Sequence, residues 1–132
     1  MGVKSRTGEA TLRLYPPKVT DGFPVVFARA RMIELMELAA ARLMKPNLRD
    51  AESSVSIEMK VTHVASTTVG GTVRAVAAYA GIAGRLHRFR INVFDESGLI
   101  GSAEHTRAVI NERRLLATTP RRADKATAQS MV

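Results

Sequence analysis

The spacing of hydrophobic and polar positions divides this chain into a strand, a helix and a run of further strands. Residues Ala10–Tyr15 (ATLRLY) alternate and predict a first strand, which Pro16 and Pro17 end. Thr20 to Pro24 reads as a turn-rich connection, and Val25–Ala28 as a short extended segment. From Arg29 to Met44 the period becomes helical. Met32, Ile33, Leu35, Met36, Ala39, Ala40, Leu43 and Met44 cover more than half of the cylinder, which leaves Arg31, Glu34, Arg42 and Lys45 the remaining face. Pro46 stops the helix, and Asn47–Ser53 is a polar loop. In Ser54–His63, Val55, Ile57, Met59 and Val61 alternate with Ser56, Glu58, Lys60 and Thr62, and His63 continues the apolar side. Strands are predicted again over Thr72–Ala80, over Leu86–Phe94 with His87, Phe89, Ile91 and Val93 on one face, and over Leu99–Asn111. Gly81 and Gly84 mark a hairpin turn around Ile82-Ala83, and Asp95–Gly98 a tight turn. From Leu116 onward the pattern is lost. One domain over residues 1–116, followed by a basic and disordered tail over 117–132, is the expected organisation.

The order is strand, buried helix, then four consecutive antiparallel strands. One helix cannot cover both faces of such a sheet. The simplest solution is an α+β protein in which a curved antiparallel sheet wraps around one long buried helix, the hot-dog fold. A small sheet with open edges also predicts a homodimer that extends the sheet, with further pairing of dimers into a tetramer left open.

Composition narrows the function classes. The chain has 132 residues and a net charge of +8, from 20 Lys+Arg against 12 Asp+Glu. Its 45% hydrophobic content is ordinary for a globular domain, and no apolar run is long enough to span a bilayer. The polar start MGVKSRTGEA lacks the apolar segment of a signal peptide, so a cytoplasmic protein with no membrane partner is expected. The absence of cysteine excludes disulfides and thiolate metal sites. A basic surface attracts polyanions: nucleic acid, anionic lipid, or a phosphorylated carrier such as coenzyme A. Much of the excess charge sits late, in Arg113, Arg114, Arg121, Arg122 and Lys125. Aromatics are few, and none form a base-stacking platform interleaved with cations, so nucleic acid is not the expected partner. Nucleic-acid binding through the tail stands as a rival reading, marked by a steep salt dependence.

Candidate chemistry centres on two residues. Glu37 lies at the margin of the helical apolar stripe, where partial burial would make its carboxylate a useful base. Alone, such a residue more commonly reaches to solvent or pairs with an arginine. His63 ends a strand on its apolar side, which signals either a satisfied packing histidine or chemistry. A carboxylate and an imidazole arriving from different elements suit the activation of a water. His87 and His105 read as packed histidines, and no ligand spacing supports a metal site. Arg29 and Arg31 open the helix, either as solvated arginines or as an anion-binding pair beside free backbone N–H groups. No P-loop, dinucleotide fingerprint, serine elbow or zincin motif is present.

Three segments resemble the hot-dog thioesterases of the fluoroacetyl-CoA thioesterase type. FPVVFARARMIELMELAAARLMKP is similar to that family's F-P-x-V-[FY]-A-T-x-x-M-[VI]-x-L-M-E helix entry. SVSIEMKVTHVASTTVGGTV is similar to its strand ending in x-V-x-H-x-A-[SA]-x-P-G, and FDESGLIGSAEHTRAVI to its final hairpin x-x-I-G-x-G-x-H-x-R. The matches span about Phe23 to Ile110. The resemblance implies a dimeric coenzyme A thioester hydrolase that needs no cofactor beyond the coenzyme A of its substrate. It implies Glu37 and His63 as the catalytic residues, Ser56 near the acyl group and Phe23 over the acyl pocket. Arg29 stands where the family has a catalytic threonine, and Thr68 where its loop usually has proline. An arginine supplies no hydroxyl, so hydrolysis would rest on Glu37 with His63 assisting, and Arg29 would read an acidic acyl group or a phosphate. The change also weighs against fluoroacetyl-CoA as substrate. The alternatives are a non-catalytic acyl-CoA or small-ligand binding protein on the same fold, and a dehydratase or hydratase, whose aspartate-then-histidine segment is not visible.

Overall fold

The computed structural model describes residues 6–13, 29–65 and 71–118. Its elements are strand β1 (Thr7–Arg13), helix α1 (Arg29–Met44), a 3-10 turn (Lys45–Asn47), and strands β2 (Glu52–His63), β3 (Thr72–Ala83), β4 (Leu86–Asp95) and β5 (Gly98–Asn111). Every predicted regular element within these residues is present. Phe23, the short segment Val25–Ala28, Thr68 and residues 119–132 lie outside the described residues, and of the expected tail only Ala117 and Thr118 are described, at the end of a helical turn.

The helix forms because its sequence is rich in strong helix formers and places apolar side chains at i, i+3, i+4 and i+7. Met32, Leu35, Met36, Ala39, Ala40, Leu43 and Met44 are all buried. Each large one contributes roughly 1.5–3 kcal/mol by leaving water. Asn47 Nδ2 donates to the Leu43 carbonyl and closes the last turn before Pro46 redirects the chain.

The five strands form one antiparallel sheet in the order β1-β3-β4-β5-β2. The strand after the helix therefore lies at the far edge from β1. One face carries the core: Ala10 of β1, Val73, Ala75 and Ala77 of β3, Phe89, Ile91 and Val93 of β4, and Ala103 of β5. Helix α1 packs on this face and crosses it. Near its start Met32 sits against Gly101 of β5, and near its end Ala39 and Leu43 sit against Gly8 of β1, where an added Cβ would lie 2.6 Å from the Ala39 carbonyl oxygen.

Two details of the strands differ from the sequence reading. The turn between β3 and β4 falls on Gly84-Arg85, not on Gly81–Gly84. Gly84 has φ of 63°, the left-handed value that the first position of a primed hairpin turn requires. Gly81 instead follows an irregularity in which Tyr79 and Gly81 face consecutive residues of β4. In β2 a second bulge at Ile57 interrupts the register: Ser56 faces Arg107 while Glu58 faces Thr106. A bulge exchanges the two faces of a strand. Met59, Val61 and His63 face the helix, as predicted, but Val55 and Ile57 do not share that face. Ser54 and Ser56 take it instead, and Ile57 is 53% exposed.

Candidate active site

The bulge gathers polar groups on the helix face of the sheet. Across neighbouring strands, Ser56 lies beside Arg107 and Arg107 beside His87. In the next row Met59 lies beside His105, His105 beside Phe89, and Phe89 beside Tyr79. Two rows further along, His63 lies beside Gly101, on which Met32 rests. The start of α1 and the end of β2 therefore meet. The backbone N–H groups of the first helical turn, which have no partner within the helix, lie toward the same end of the sheet as the imidazole.

His105 and Arg107 are buried polar residues in a core that is otherwise apolar, 1% and 6% exposed. Their needs are met by each other and by β2. His105 Nδ1 is 2.8 Å from the Glu58 carbonyl, and Arg107 Nη1 is 3.1 Å from His105 Nε2. Arg107 Nε donates to Ser54 Oγ at 3.0 Å and Nη2 to the Ser54 carbonyl at 2.9 Å. Burial pushes the His105 ring below the ordinary histidine value; its hydrogen bond to Glu58 works against this, Arg107 adds to it, and Glu37 opposes it. Burial also lowers the Arg107 guanidinium, and the negative charge of Glu37 raises it. Glu37, half-buried on α1, thus projects its charge onto the His105–Arg107 pair. Flanking this group, Tyr79 Oη is 2.8 Å from His87 Nδ1 and the Tyr79 ring meets Phe89 edge to face.

His63 is half-buried, and its Nε2 is fully enclosed with no hydrogen-bond partner among the described residues. Buried ring nitrogens are normally hydrogen-bonded, so this one has capacity for a partner that the described residues do not supply. No hydrogen bond or ion pair joins Glu37 to His63 among the described residues. Ser56 is exposed on β2, next to Arg107. Arg29 is exposed at the first position of α1, while Arg31 pairs with Glu34 on the outer surface of the helix at 3.6 Å and does not face the polar group. Phe23 lies outside the described residues. Among the described residues no cluster of His, Cys, Asp and Glu could hold a metal ion. A groove of about 390 Å³ lies on the opposite face of the sheet between Glu58, Lys60, Arg88, Arg90 and Glu104, and contains neither Glu37 nor His63.

The sequence reading gives Arg107 no role, although it matches the arginine that ends the x-x-I-G-x-G-x-H-x-R hairpin motif. The signal was present: it follows His105 by two positions on the inward phase of β5. A charged side chain on that phase has to be bonded or functional.

Known proteins agree with this architecture. Residues 13–113 match the profile of the family described as fluoroacetyl-CoA-specific thioesterase, FlK. A fluoroacetyl-CoA thioesterase from Streptantibioticus cattleyicolor is 41% identical over 100 residues, covering 74% of this chain and 71% of that protein. The crystal structure of the fluoroacetyl-CoA thioesterase FlK superposes with a TM-score of 0.81 at 31% identity, covering 92% of this chain and 98% of that one. A Thermus thermophilus member of the thioesterase superfamily, 22% identical, shares the fold with a TM-score of 0.85 over 96% of this chain and 98% of that one.

Proposed function

This chain belongs to the fluoroacetyl-CoA-specific thioesterase family, and we propose that it hydrolyses an acyl-CoA thioester with Glu37 and His63 as the catalytic pair. The observation that carries the reading is the enclosed Nε2 of His63, without a partner among the described residues, beside the start of α1 and on the face where Glu37 and Arg107 project. A variant of the FlK enzyme, 32% identical to this chain, has been solved in complex with acetyl-CoA, which supports an acyl-CoA as the ligand class.

In the proposed reaction the thioester carbonyl points at the free N–H groups of the first helical turn. Glu37 removes a proton from a water whose oxygen bonds to the carbonyl carbon. The carbonyl electron pair moves to oxygen, and the helix N–H groups stabilise the charge that develops there. The carbon–sulfur bond then breaks, His63 relays the proton to the leaving thiolate, and a carboxylic acid and free coenzyme A result. Arg107 contributes positive charge beside Glu37, and Ser56 borders the acyl group. Arg29, at the mouth of this region, contacts an acidic acyl group or a phosphate of coenzyme A. No cofactor is needed beyond the coenzyme A of the substrate.

The functional unit in this reading is a homodimer. Strand β2, which carries Ser56 and His63, is twelve residues long and lies at an edge of the sheet with Ile57 exposed beside it. A long open edge of this kind is suited to pairing with a second copy. Among the described residues no helix is long and apolar enough to cross a membrane, and the cytoplasm is the proposed compartment.

The test is a panel of short, branched and aromatic acyl-CoAs assayed with wild-type protein, Glu37→Ala and His63→Ala. Each substitution is expected to lower kcat by roughly 100-fold or more on the preferred substrate. Wild-type rates no better than those of the variants on every substrate would end the reading. Arg29 at the family's threonine position favours one alternative, a protein that binds acyl-CoA without turnover. Calorimetric binding of the thioester with no hydrolysis would select it.

A further inference from the structure

From the geometry around β5 we infer that His105 is a positioning residue: with Ser54 it fixes the Arg107 guanidinium so that the N–H groups left over face the substrate region beside Glu37. This rests on the reading of that region as a thioesterase site.

The tautomer of His105 follows from its partners. A carbonyl oxygen only accepts, so the contact with Glu58 places the proton on Nδ1. A guanidinium only donates, so the contact with Arg107 leaves the lone pair on Nε2. Both partners demand the same neutral ring. Protonating Nε2 would require Arg107 to let go, so His105 is not a base for the reaction. Its role is to hold.

What it holds is well defined. Arg107 has one N–H on Nε, engaged with Ser54 Oγ, and two on each terminal nitrogen. Nη2 gives one to the Ser54 carbonyl and Nη1 gives one to His105. One N–H on each terminal nitrogen therefore has no partner among the described residues. Three anchors from two strands remove the rotational freedom that a long arginine side chain otherwise keeps, so its charge is placed before a substrate arrives. The bulge in β2 is part of the device. It brings Ser54 to the helix face on one side of Ile57 and leaves Met59 beside His105 on the other. A regular strand would turn Ser54 to the opposite face, and Arg107 would lose two of its three partners.

The residues facing this group from each packed element are Glu37 on α1, Ser54 and Ser56 on β2, and Phe89 and His87 on β4. Glu37 is the negative group whose charge reaches both members of the pair, so the anchored guanidinium and the proposed base belong to the same region.

The test combines kinetics and NMR on the full chain. His105→Phe keeps a ring of similar size and removes both hydrogen bonds. His105→Gln restores an acceptor and a donor on one side chain. With an accepted acyl-CoA, His105→Phe is expected to lower kcat/KM by roughly 10- to 100-fold, and His105→Gln to recover most of that loss. In an Arg107→Lys background, which has no fork to aim, His105→Phe is expected to cost less than about 3-fold, because the two residues act as one unit. Independently of turnover, the 15N spectrum of wild-type protein should show a neutral His105 protonated on Nδ1 and a slowly exchanging Arg107 Nε–H that is lost in His105→Phe. Full additivity of the two substitutions, or a folded His105→Phe variant with wild-type kcat/KM, would overturn the inference. So would a His105 protonated on Nε2. If wild-type protein turns over no acyl-CoA, the thioesterase reading fails, and the NMR measurement alone still decides whether His105 anchors Arg107.

Discussion

Replacing Gly8 with alanine tests how α1 is seated. A Cβ at Gly8 would lie 2.6 Å from the Ala39 carbonyl oxygen, 2.8 Å from Leu43 Cβ and 2.9 Å from Leu43 N. All three are backbone atoms or the first carbon of a fully buried side chain, so no rotamer change relieves them. Ordinary contact begins at 3.4 Å, so the end of the helix must rise from β1 by roughly 0.8 Å. Overpacking of this kind costs about 1–3 kcal/mol. The loss of glycine's freedom in the unfolded chain offsets roughly 0.4–1 kcal/mol. A net destabilisation of about 1–2 kcal/mol should lower Tm by roughly 4–8 °C. Glu37 lies two residues before Ala39, so the same displacement moves the proposed base relative to Arg107. A shift approaching 1 Å at a reacting group can cost on the order of 100-fold in rate, and a fall in kcat of at least about 10-fold is expected. Calorimetric melting and acyl-CoA hydrolysis on one protein preparation give both numbers. A Tm within about 1 °C of wild type, with unchanged kcat, would show that the helix does not rest on β1 through this glycine.

Gly101→Ala should be milder. The atoms in its way are mainly Met32 Sδ at 2.5 Å and Cε at 2.9 Å, the movable end of a flexible side chain, so a loss below about 1 kcal/mol is expected by urea denaturation; a loss equal to that of Gly8→Ala would contradict the distinction. Stability should also depend on pH. His105 and His87 are both lowered from 6.5 by burial, so the folded state binds fewer protons than the unfolded chain. Their effect is absent above both values and appears as pH falls through about 6.5, so stability measured from pH 8 to 5 should decline on acidification, less steeply in His105→Gln; a rise on acidification would refute the assignment. Finally, Ile57→Lys places a charge on the exposed side of β2 and should weaken self-association in sedimentation equilibrium while leaving the monomer folded; a chain that is monomeric before the substitution would remove the basis for this dimer.

The elements were legible because hydrophobic period is local information. The seven buried positions of α1 follow from a 3.6-residue repeat, and the inward face of β4 from strict alternation. Glu37 and His63 stand out for the same reason, as ionisable residues at the margin of an apolar pattern. The β2 bulge was not legible. Val55 and Ile57 continue the alternation of Met59 and Val61 without a break, and only the pairing with Arg107 and Thr106 of β5 shows that the strand changes face between them. The inward phase of β5 marks Arg107 as buried, but its partners Ser54 and His105 are far from one another in sequence, so the bonded group is visible only once the strands pair.

Local pattern along the chain tells which segments are helix or strand, which of their faces are apolar, and that a carboxylate and a histidine interrupt them. The packed chain alone places β2 at the edge beyond β5, runs α1 from Gly101 to Gly8, and joins Ser54, His105 and Arg107 into one bonded group under the charge of Glu37. The division has a physical cause. Period is set by the geometry of neighbouring residues along the chain, whereas strand order, bulges and buried polar pairs are set by which distant groups can satisfy one another once water is gone.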